Sequence, residues 1–142
     1  MVDVLSRRRR RIIRAGLVII AIPAAELGIW ATLAPRSFYD DFPGGGHSWV
    51  SASGPYDEHL VRDVGTFNLG LLVLAIFAIV TMERRVVQAA LLAAVVSGIP
   101  HLIFHLEDTD SLSTGDNVAS LIGLFLIPAV GAALLPLTRS LE

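Results

Sequence analysis

Four long apolar runs constrain the fold of this sequence more than any other feature. They cover about residues 12–34, 62–82, 86–106 and 118–137. Each is about 20 residues long, and an α-helix of that length crosses a hydrocarbon core of about 30 Å. Only helices or closed barrels satisfy the backbone in hydrocarbon, and the runs lack the period-two alternation of barrel strands. The sequence therefore predicts an all-α integral membrane protein, with residues 1–142 forming one antiparallel four-helix bundle.

Basic residues are concentrated at three places, and these places predict the orientation. Arg7–Arg11 and Arg14 precede or begin the first span, Arg84 and Arg85 lie between the second and third spans, and Arg139 follows the fourth. The other two connections carry most of the acids. By the positive-inside rule we expect both termini in the cytoplasm and the acidic connections outside a bacterial plasma membrane.

The arginine run beside the first span is typical of residues that fix topology and contact anionic lipid, so we expect no nucleic-acid site. We also expect the first span to be a true span rather than a signal peptide, because of its length and because it contains Glu26. The chain has no cysteine, which excludes disulfides and thiolate chemistry.

Polar side chains in the spans are concentrated in the half that we expect to face outward. Glu26 lies about eight residues, or roughly 12 Å, below the outer end of the first span. Asn68 and His101 lie at a similar level in the second and third spans. A charge at mid-helix costs about 2.5–3.5 kcal/mol on insertion scales, so such groups rarely face lipid. We therefore expect these side chains to point into the bundle and to line an outward-opening polar pocket.

Two histidines four residues apart are the clearest candidates for chemistry. His101 and His105 share one face of the third span, as His59 and Asp63 share one face of the second. Two imidazoles at this spacing can hold one ion, and Glu26, His59 or Asp63 would complete the ligands of copper, zinc or iron. The sequence H-L-I-F-H lacks the glutamate of a zinc-protease motif. A haem held by His59 and His101 is the less favoured cofactor.

Two other interpretations of the same polar residues remain open. Glu26 would pair with Arg62 or His101 in a buried ion pair that only fixes helix packing. Alternatively, the pocket would bind an organic molecule or relay protons, and the residues that would contact the organic molecule are Trp49, Tyr56, Arg62 and Asn68. Whether the protein is an enzyme stays open at this point, because no residue can be assigned a catalytic role.

The first acidic connection, at about 35–61, is too long for a plain linker. It is rich in aromatic residues, which favour an ordered segment in the membrane interface: Phe38, Tyr39, Phe42, Trp49 and Tyr56. Gly44–Gly46 predict a flexible turn rather than a phosphate loop, because no G-K-[ST] follows. We expect an ordered extracytoplasmic lid over the pocket mouth, with His47 as a further candidate ligand. The alternative is an interfacial anchor that contacts no pocket.

At "SFYDDFPGGG" and "GPYDEHLVRDVGTFNLG" the chain resembles a group of small, largely uncharacterised bacterial four-helix membrane proteins, which are similar to DoxX-type bundle proteins in size and helix count. The resemblance covers most of the chain. It implies that the lid and the polar start of the second span, Asp57–Asp63, are the part under functional demand. The chain departs from the pattern of a redox-coupled thiol partner, since it has none of the expected cysteines.

Three classes of function follow from these residues. The first is a membrane protein that binds a metal ion through histidine and carboxylate ligands. The second is an accessory subunit of a larger membrane complex, and the third is a binder of a lipophilic small molecule. Faces of small residues on the third and fourth spans also permit a homo-oligomer within the bilayer.

Overall fold

The computed structural model describes residues 2–141, with side chains described for 7–139 and 141. In chain order the elements are α1 (Val2–Leu33), α2 (Pro35–Asp41), β1 (Pro43–Gly44), β2 (His47–Ser48), α3 (Trp49–Ala52), α4 (Glu58–Thr81), α5 (Arg84–Glu107), α6 (Thr114–Leu134) and a 3₁₀ helix (Leu135–Ser140). The strands β1 and β2 form one short antiparallel hairpin. The chain is therefore almost entirely helical where it is described.

Four of these helices are long and apolar enough to cross a membrane: Arg7–Leu33, Glu58–Thr81, Arg84–Glu107 and Thr114–Arg139. The four predicted runs are thus confirmed as long apolar helices. Two of them begin four residues earlier than predicted, because polar side chains cap them. Asp57 accepts hydrogen bonds from the backbone N–H groups of His59 and Leu60 at the start of α4. Ser113 accepts one from the N–H of Asp116 at the start of α6.

The four long helices pack as an up-and-down bundle. α1 packs against α4 and α5 packs against α6, while α4 also contacts α5 and α1 also contacts α6. The turn between α4 and α5 is short, with Met82 in the left-handed conformation at φ 50°. We call the end with this turn and Arg7–Arg14 the arginine end. The end with the connections at 34–57 and 108–113 is the acidic end.

The main core lies toward the arginine end, where residues from all four long helices meet. Its fully buried large side chains include Ile13, Leu17, Ile20, Val87 and Leu91. The 3₁₀ helix closes this end, because Gln88 Nε2 donates a hydrogen bond to Thr138 Oγ1 at 3.0 Å. The arginine end is therefore tightly packed and offers little polar surface inside the bundle.

Glycines allow close helix contact nearer the acidic end. A Cβ atom added to Gly65 of α4 would lie 2.6 Å from the backbone nitrogen of Thr32 and 3.0 Å from the carbonyl carbon of Ala31 in α1. A Cβ atom on Gly98 of α5 would lie 2.9 Å from Cδ of Pro128 in α6. Gly65 thus allows α1 and α4 to approach each other closely, and Gly98 does the same for α5 and α6.

A second, smaller core joins the connection at 34–57 to the bundle. Phe38 of α2 is buried there with Ala31 of α1 and Val61 of α4. Aromatic rings surround Phe38, with ring centroids 5.8 Å away for Trp30 and 4.9 Å away for Phe42. The aromatic residues of this connection therefore pack on α1 and α4.

Candidate functional site

A groove separates α4 from α5 in the middle of the bundle. It has a volume of about 480 Å³ and is lined by Thr66, Phe67, Asn68, Gly70, Leu71 and Leu74 of α4 and by Ala93 and Ser97 of α5. Since only these two neighbouring helices line it, the groove opens sideways, toward the space that hydrocarbon would occupy around a membrane protein. Its walls are mainly apolar, with a few polar groups among them.

The polar side chains of the groove donate their hydrogen bonds back to their own helices. Thr66 Oγ1 donates to the carbonyl of Asp63 at 3.1 Å, and Asn68 Nδ2 donates to the carbonyl of Val64 at 2.8 Å. Ser97 Oγ donates to the carbonyl of Ala93 at 2.8 Å. The oxygen atoms of these side chains keep lone pairs that can accept a further bond. The groove therefore suits a ligand that brings its own hydrogen-bond donor.

Ionisable residues of α4 lie one turn beyond the groove, toward the acidic end. Asp63 precedes Thr66 and Phe67 by three and four residues, so it shares their side of the helix. His59 Nε2 lies 3.5 Å from Asp63 Oδ2, with both side chains more than half exposed. α4 thus carries a histidine–carboxylate pair at the acidic end of the groove.

Histidines of α5 occupy the matching position on the other wall. His101 follows Ser97 by one turn and follows the buried Ala94 by two turns. The rings of His101 and His105 contact each other, with centroids 5.0 Å apart. These histidines continue the spacing of the buried face of α5, but His101 is exposed and His105 half-buried, which corrects the expectation that His101 points into the bundle.

The described residues bring no third ligand to this histidine pair. Among residues 7–139 and 141, whose side chains are described, no group of three or more His, Cys, Asp or Glu side chains lies close enough together to hold a metal ion. His59 and Asp63 form their own pair on α4. The metal site therefore stays a prediction, with the His101–His105 contact as its remaining support.

Glu26 does not point into the bundle, which corrects the sequence prediction. Its side chain is exposed and shares a face of α1 with Ile22, Ile29 and Leu33, which are 62%, 50% and 76% exposed. The predicted pair with Arg62 does not form either. Arg62 Nε donates to Glu58 Oε1 at 2.8 Å, and its NH1 group donates to the carbonyl of Thr32. Arg62 thus caps the end of α1 rather than neutralising an acid within the bundle.

Trp49 and His47 lie on the connection at 34–57 and contact one carboxylate of α6. Trp49 Nε1 donates to Asp116 Oδ1 at 2.9 Å, and His47 Nδ1 lies 2.7 Å from the same oxygen. Ser113 Oγ donates to Asp116 Oδ2 at 2.7 Å. We call these contacts the Asp116 clamp. It joins the connection that follows α1 to the start of α6, so it ties the two helix pairs together at the acidic end.

Tyr56 lies apart from the groove. Its ring packs against Tyr39 with centroids 5.1 Å apart, and the Arg36 guanidinium lies 5.0 Å from its centroid. Desolvation, with a smaller contribution from the Glu58 carboxylate, raises the pKa of the Tyr56 hydroxyl above its ordinary value. Of the four residues predicted to contact an organic ligand, only Asn68 lines the groove.

In the sequence Asp116 is one of several acids in a connection that we expect to face outward. The spacing Ser113-x-x-Asp116 directly before an apolar run is typical of a capped helix start. That spacing predicts the contact with Ser113, but not the contacts with Trp49 and His47, which are far away in the sequence.

Comparisons with protein-family models, with curated proteins and with solved structures found no match to this chain. The resemblance to DoxX-type bundles therefore stays a prediction. The functional interpretation depends on the groove, on the two histidine-containing pairs beside it and on the Asp116 clamp.

Proposed function

We propose that this chain is a multi-pass protein of the bacterial plasma membrane that binds a lipophilic small molecule in the groove between α4 and α5. The observation that carries the proposal is the groove itself, about 480 Å³ in volume, with apolar walls and with ionisable groups beyond its acidic end. In the proposed orientation both termini are cytoplasmic and the acidic end faces outward. The ligand would then lie near the middle of the bilayer, with the ionisable groups on its outer side.

The chemistry of the groove favours a molecule with an apolar body and a polar head that donates hydrogen bonds. Phe67, Leu71 and Leu74 offer apolar contact to the body. The free lone pairs of Asn68 and Ser97 would accept from the head. A head group that projects further would reach the level of Asp63 and His101, one helical turn away.

The Asp116 clamp supports this proposal because of where the groove lies. α4 and α5 belong to different helix pairs, so the width of the groove depends on how far the pairs can separate. Trp49 and His47 join the first pair to Asp116 of the second. We propose that the connection at 34–57 stays ordered and limits the opening of the groove at its acidic end.

Photolabelling tests the proposal. The purified protein in lipid nanodiscs is exposed to a long-chain primary alcohol that carries a diazirine, and labelled peptides are mapped by mass spectrometry. We expect labels concentrated at the groove positions of α4 and α5. Ser97→Leu, which fills the groove, should reduce this labelling severalfold. Val73→Leu is the matched control, since Val73 is 67% exposed on α4 and does not line the groove.

Uniform labelling of exposed positions on all four long helices would contradict the proposal. Ordinary annular lipid would then account for the groove, and Ser97→Leu would change labelling no more than Val73→Leu does. The same preparation distinguishes binding of the alcohol from general partitioning, because unlabelled alcohol in excess should compete only at a specific site.

A second candidate function is metal binding, and the contact between His101 and His105 favours it. Because two imidazoles leave further coordination positions open, water or a bound molecule would have to complete the ligands of copper, zinc or iron. Elemental analysis of purified protein decides between the candidates. Stoichiometric metal that disappears in the double variant His101→Ala with His105→Ala would favour the metal site, and metal retained by that variant would exclude this pair.

A further inference from the structure

The groove between α4 and α5 offers a ligand hydrogen-bond acceptors and few donors. The hydroxyl groups of Thr66 and Ser97 already donate to carbonyl groups of their own helices, at 3.1 and 2.8 Å. Asn68 uses one of its two amide hydrogens in the same way, at 2.8 Å. The groups that remain free are the lone pairs of three side-chain oxygens and one amide hydrogen. A head group that only donates hydrogen bonds therefore complements the groove best.

Asp63 continues the line of groove residues along α4. It precedes Gly70 and Leu74, which line the groove, by seven and eleven residues, or about two and three helical turns. The carboxylate thus lies on the groove side of α4, one turn beyond Thr66. The Asp63 side chain is 55% exposed, and its Oδ2 atom makes a long contact of 3.5 Å with His59 Nε2. Lone pairs of the carboxylate therefore remain free to accept further hydrogen bonds.

The charges of the acidic end favour a positively charged head group. Residues 34–63 and 105–117 contain two arginines and no lysine among many more Asp and Glu residues. Both arginines already pair with a carboxylate of their own helix, Arg36 with Asp40 at 2.7 Å and Arg62 with Glu58 at 2.8 Å. A surface of one charge attracts ligands of the opposite charge and repels those of its own. An anionic head group would therefore be repelled from this end of the groove.

We propose that the ligand of the groove is a single-chain lipophilic amine, whose primary ammonium group binds Asp63 while its chain follows α4 toward Leu74. This proposal rests on the proposed function, because it names the class of molecule that the groove binds. An ammonium group has three N–H donors and no acceptor, and its charge is opposite to that of a carboxylate. From Asp63 to Leu74 the axis of α4 rises roughly 16 Å, which is the path of the chain.

A free amine suits the site better than a phospholipid with an ammonium head group. In such a lipid a phosphate separates the ammonium from the chains, so the phosphate would lie close to Asp63. Phosphate binding usually requires an arginine or a lysine. Arg62 is held by Glu58 and by the carbonyl of Thr32, and the other arginines of α4 and α5, Arg84 and Arg85, lie at the arginine end.

Competition photolabelling tests the charge of the head group. The protein in phosphatidylcholine nanodiscs is labelled with the diazirine alcohol, and unlabelled amine, alcohol and carboxylic acid of one chain length compete at concentrations corrected for partition into empty nanodiscs. We expect the amine to compete at about fivefold lower concentration than the alcohol. The factor is modest because water screens the half-exposed Asp63. The carboxylic acid should compete worst.

Two variants assign the preference to Asp63. Asp63→Asn should bring the ratio between alcohol and amine to about one, because a neutral amide of the same shape replaces the carboxylate. Asp110→Asn is the matched control, since it removes the same charge from an exposed residue of the connection at 108–113. It should keep most of the fivefold ratio. A ratio is measured because a general loss of folded protein would affect both competitors alike.

Equal competition by amine and alcohol would overturn the amine as the ligand and leave the groove as a binding site. A ratio that persists in Asp63→Asn, or that falls equally in Asp110→Asn, would also overturn it. If nanodiscs that contain phosphatidylethanolamine abolish groove labelling, a lipid head group rather than a free amine is the ligand. Uniform labelling of all four long helices, with no competition by any of the three compounds, would instead contradict the proposed function itself.

Discussion

The contact between α1 and α4 gives the sharpest test of the packing, through Gly65→Ala. The added methyl group would lie 2.6 Å from the nitrogen of Thr32 and 3.0 Å from the carbonyl carbon of Ala31. Both atoms are backbone, so no side-chain rotation relieves the clash and the helices must move apart. Overpacking of this kind costs about 1–3 kcal/mol, while alanine in place of glycine contributes about 0.8–1 kcal/mol of helix propensity. The net loss is therefore about 0–2 kcal/mol, or up to about 8 °C in Tm.

Thermal unfolding in detergent, followed by circular dichroism, measures this loss. Gly70→Ala is the control on the same helix, because a Cβ atom there has no neighbour within 4 Å. It should be neutral or raise the Tm by a few degrees, through helix propensity alone. If Gly65→Ala were as stable as Gly70→Ala, the backbones of α1 and α4 could not be in the contact that the structure describes.

Two further predictions concern the acidic end. Asp116→Asn should speed amide hydrogen exchange across residues 45–53, because the Asp116 clamp loses its charged acceptor. Asp110→Asn is the control, since Asp110 is exposed, and it should leave the exchange rate unchanged. An unchanged exchange rate in Asp116→Asn would show that the clamp does not hold the connection in place. For the orientation, Ser53→Cys should react with an impermeant maleimide on intact cells and Glu83→Cys should not. The reverse pattern would place the arginine end outside.

The existence of four long helices could be predicted because a membrane imposes a length and a composition on each span. Their ends were harder to place, since caps rather than hydropathy decide them. α4 begins at Glu58 and α6 at Thr114, where Asp57 and Ser113 cap the helices outside the apolar runs. Short connections place α5 beside α4 and α6 beside α5. The packing of α1 on α4 across the long connection at 34–57, and the groove between α4 and α5, depend on tertiary contacts and left no pattern in the sequence.

The faces of the polar residues were not predictable even where several of them shared a stripe. Ala94, His101 and His105 recur at helical spacing, but Ala94 is buried, whereas His101 is exposed and His105 half-buried. Glu26 has no such companions, because every face of α1 around it is apolar. The depth of a residue in a membrane helix can be estimated from its distance to the helix end. The sequence does not show which side of the helix faces the bundle when a single acid lies among apolar residues. The partner of Arg62 was equally hard to predict. Arg62 pairs with Glu58, four residues earlier on the same helix, and not with Glu26 of α1.

The groove and the exposed face of Glu26 lie on different sides of the bundle. α1 packs against α4 and α6, and its exposed face points away from both. α5, which forms one wall of the groove, lies diagonally across from α1. A substitution at Glu26 should therefore leave photolabelling of the groove unchanged, because it alters neither wall.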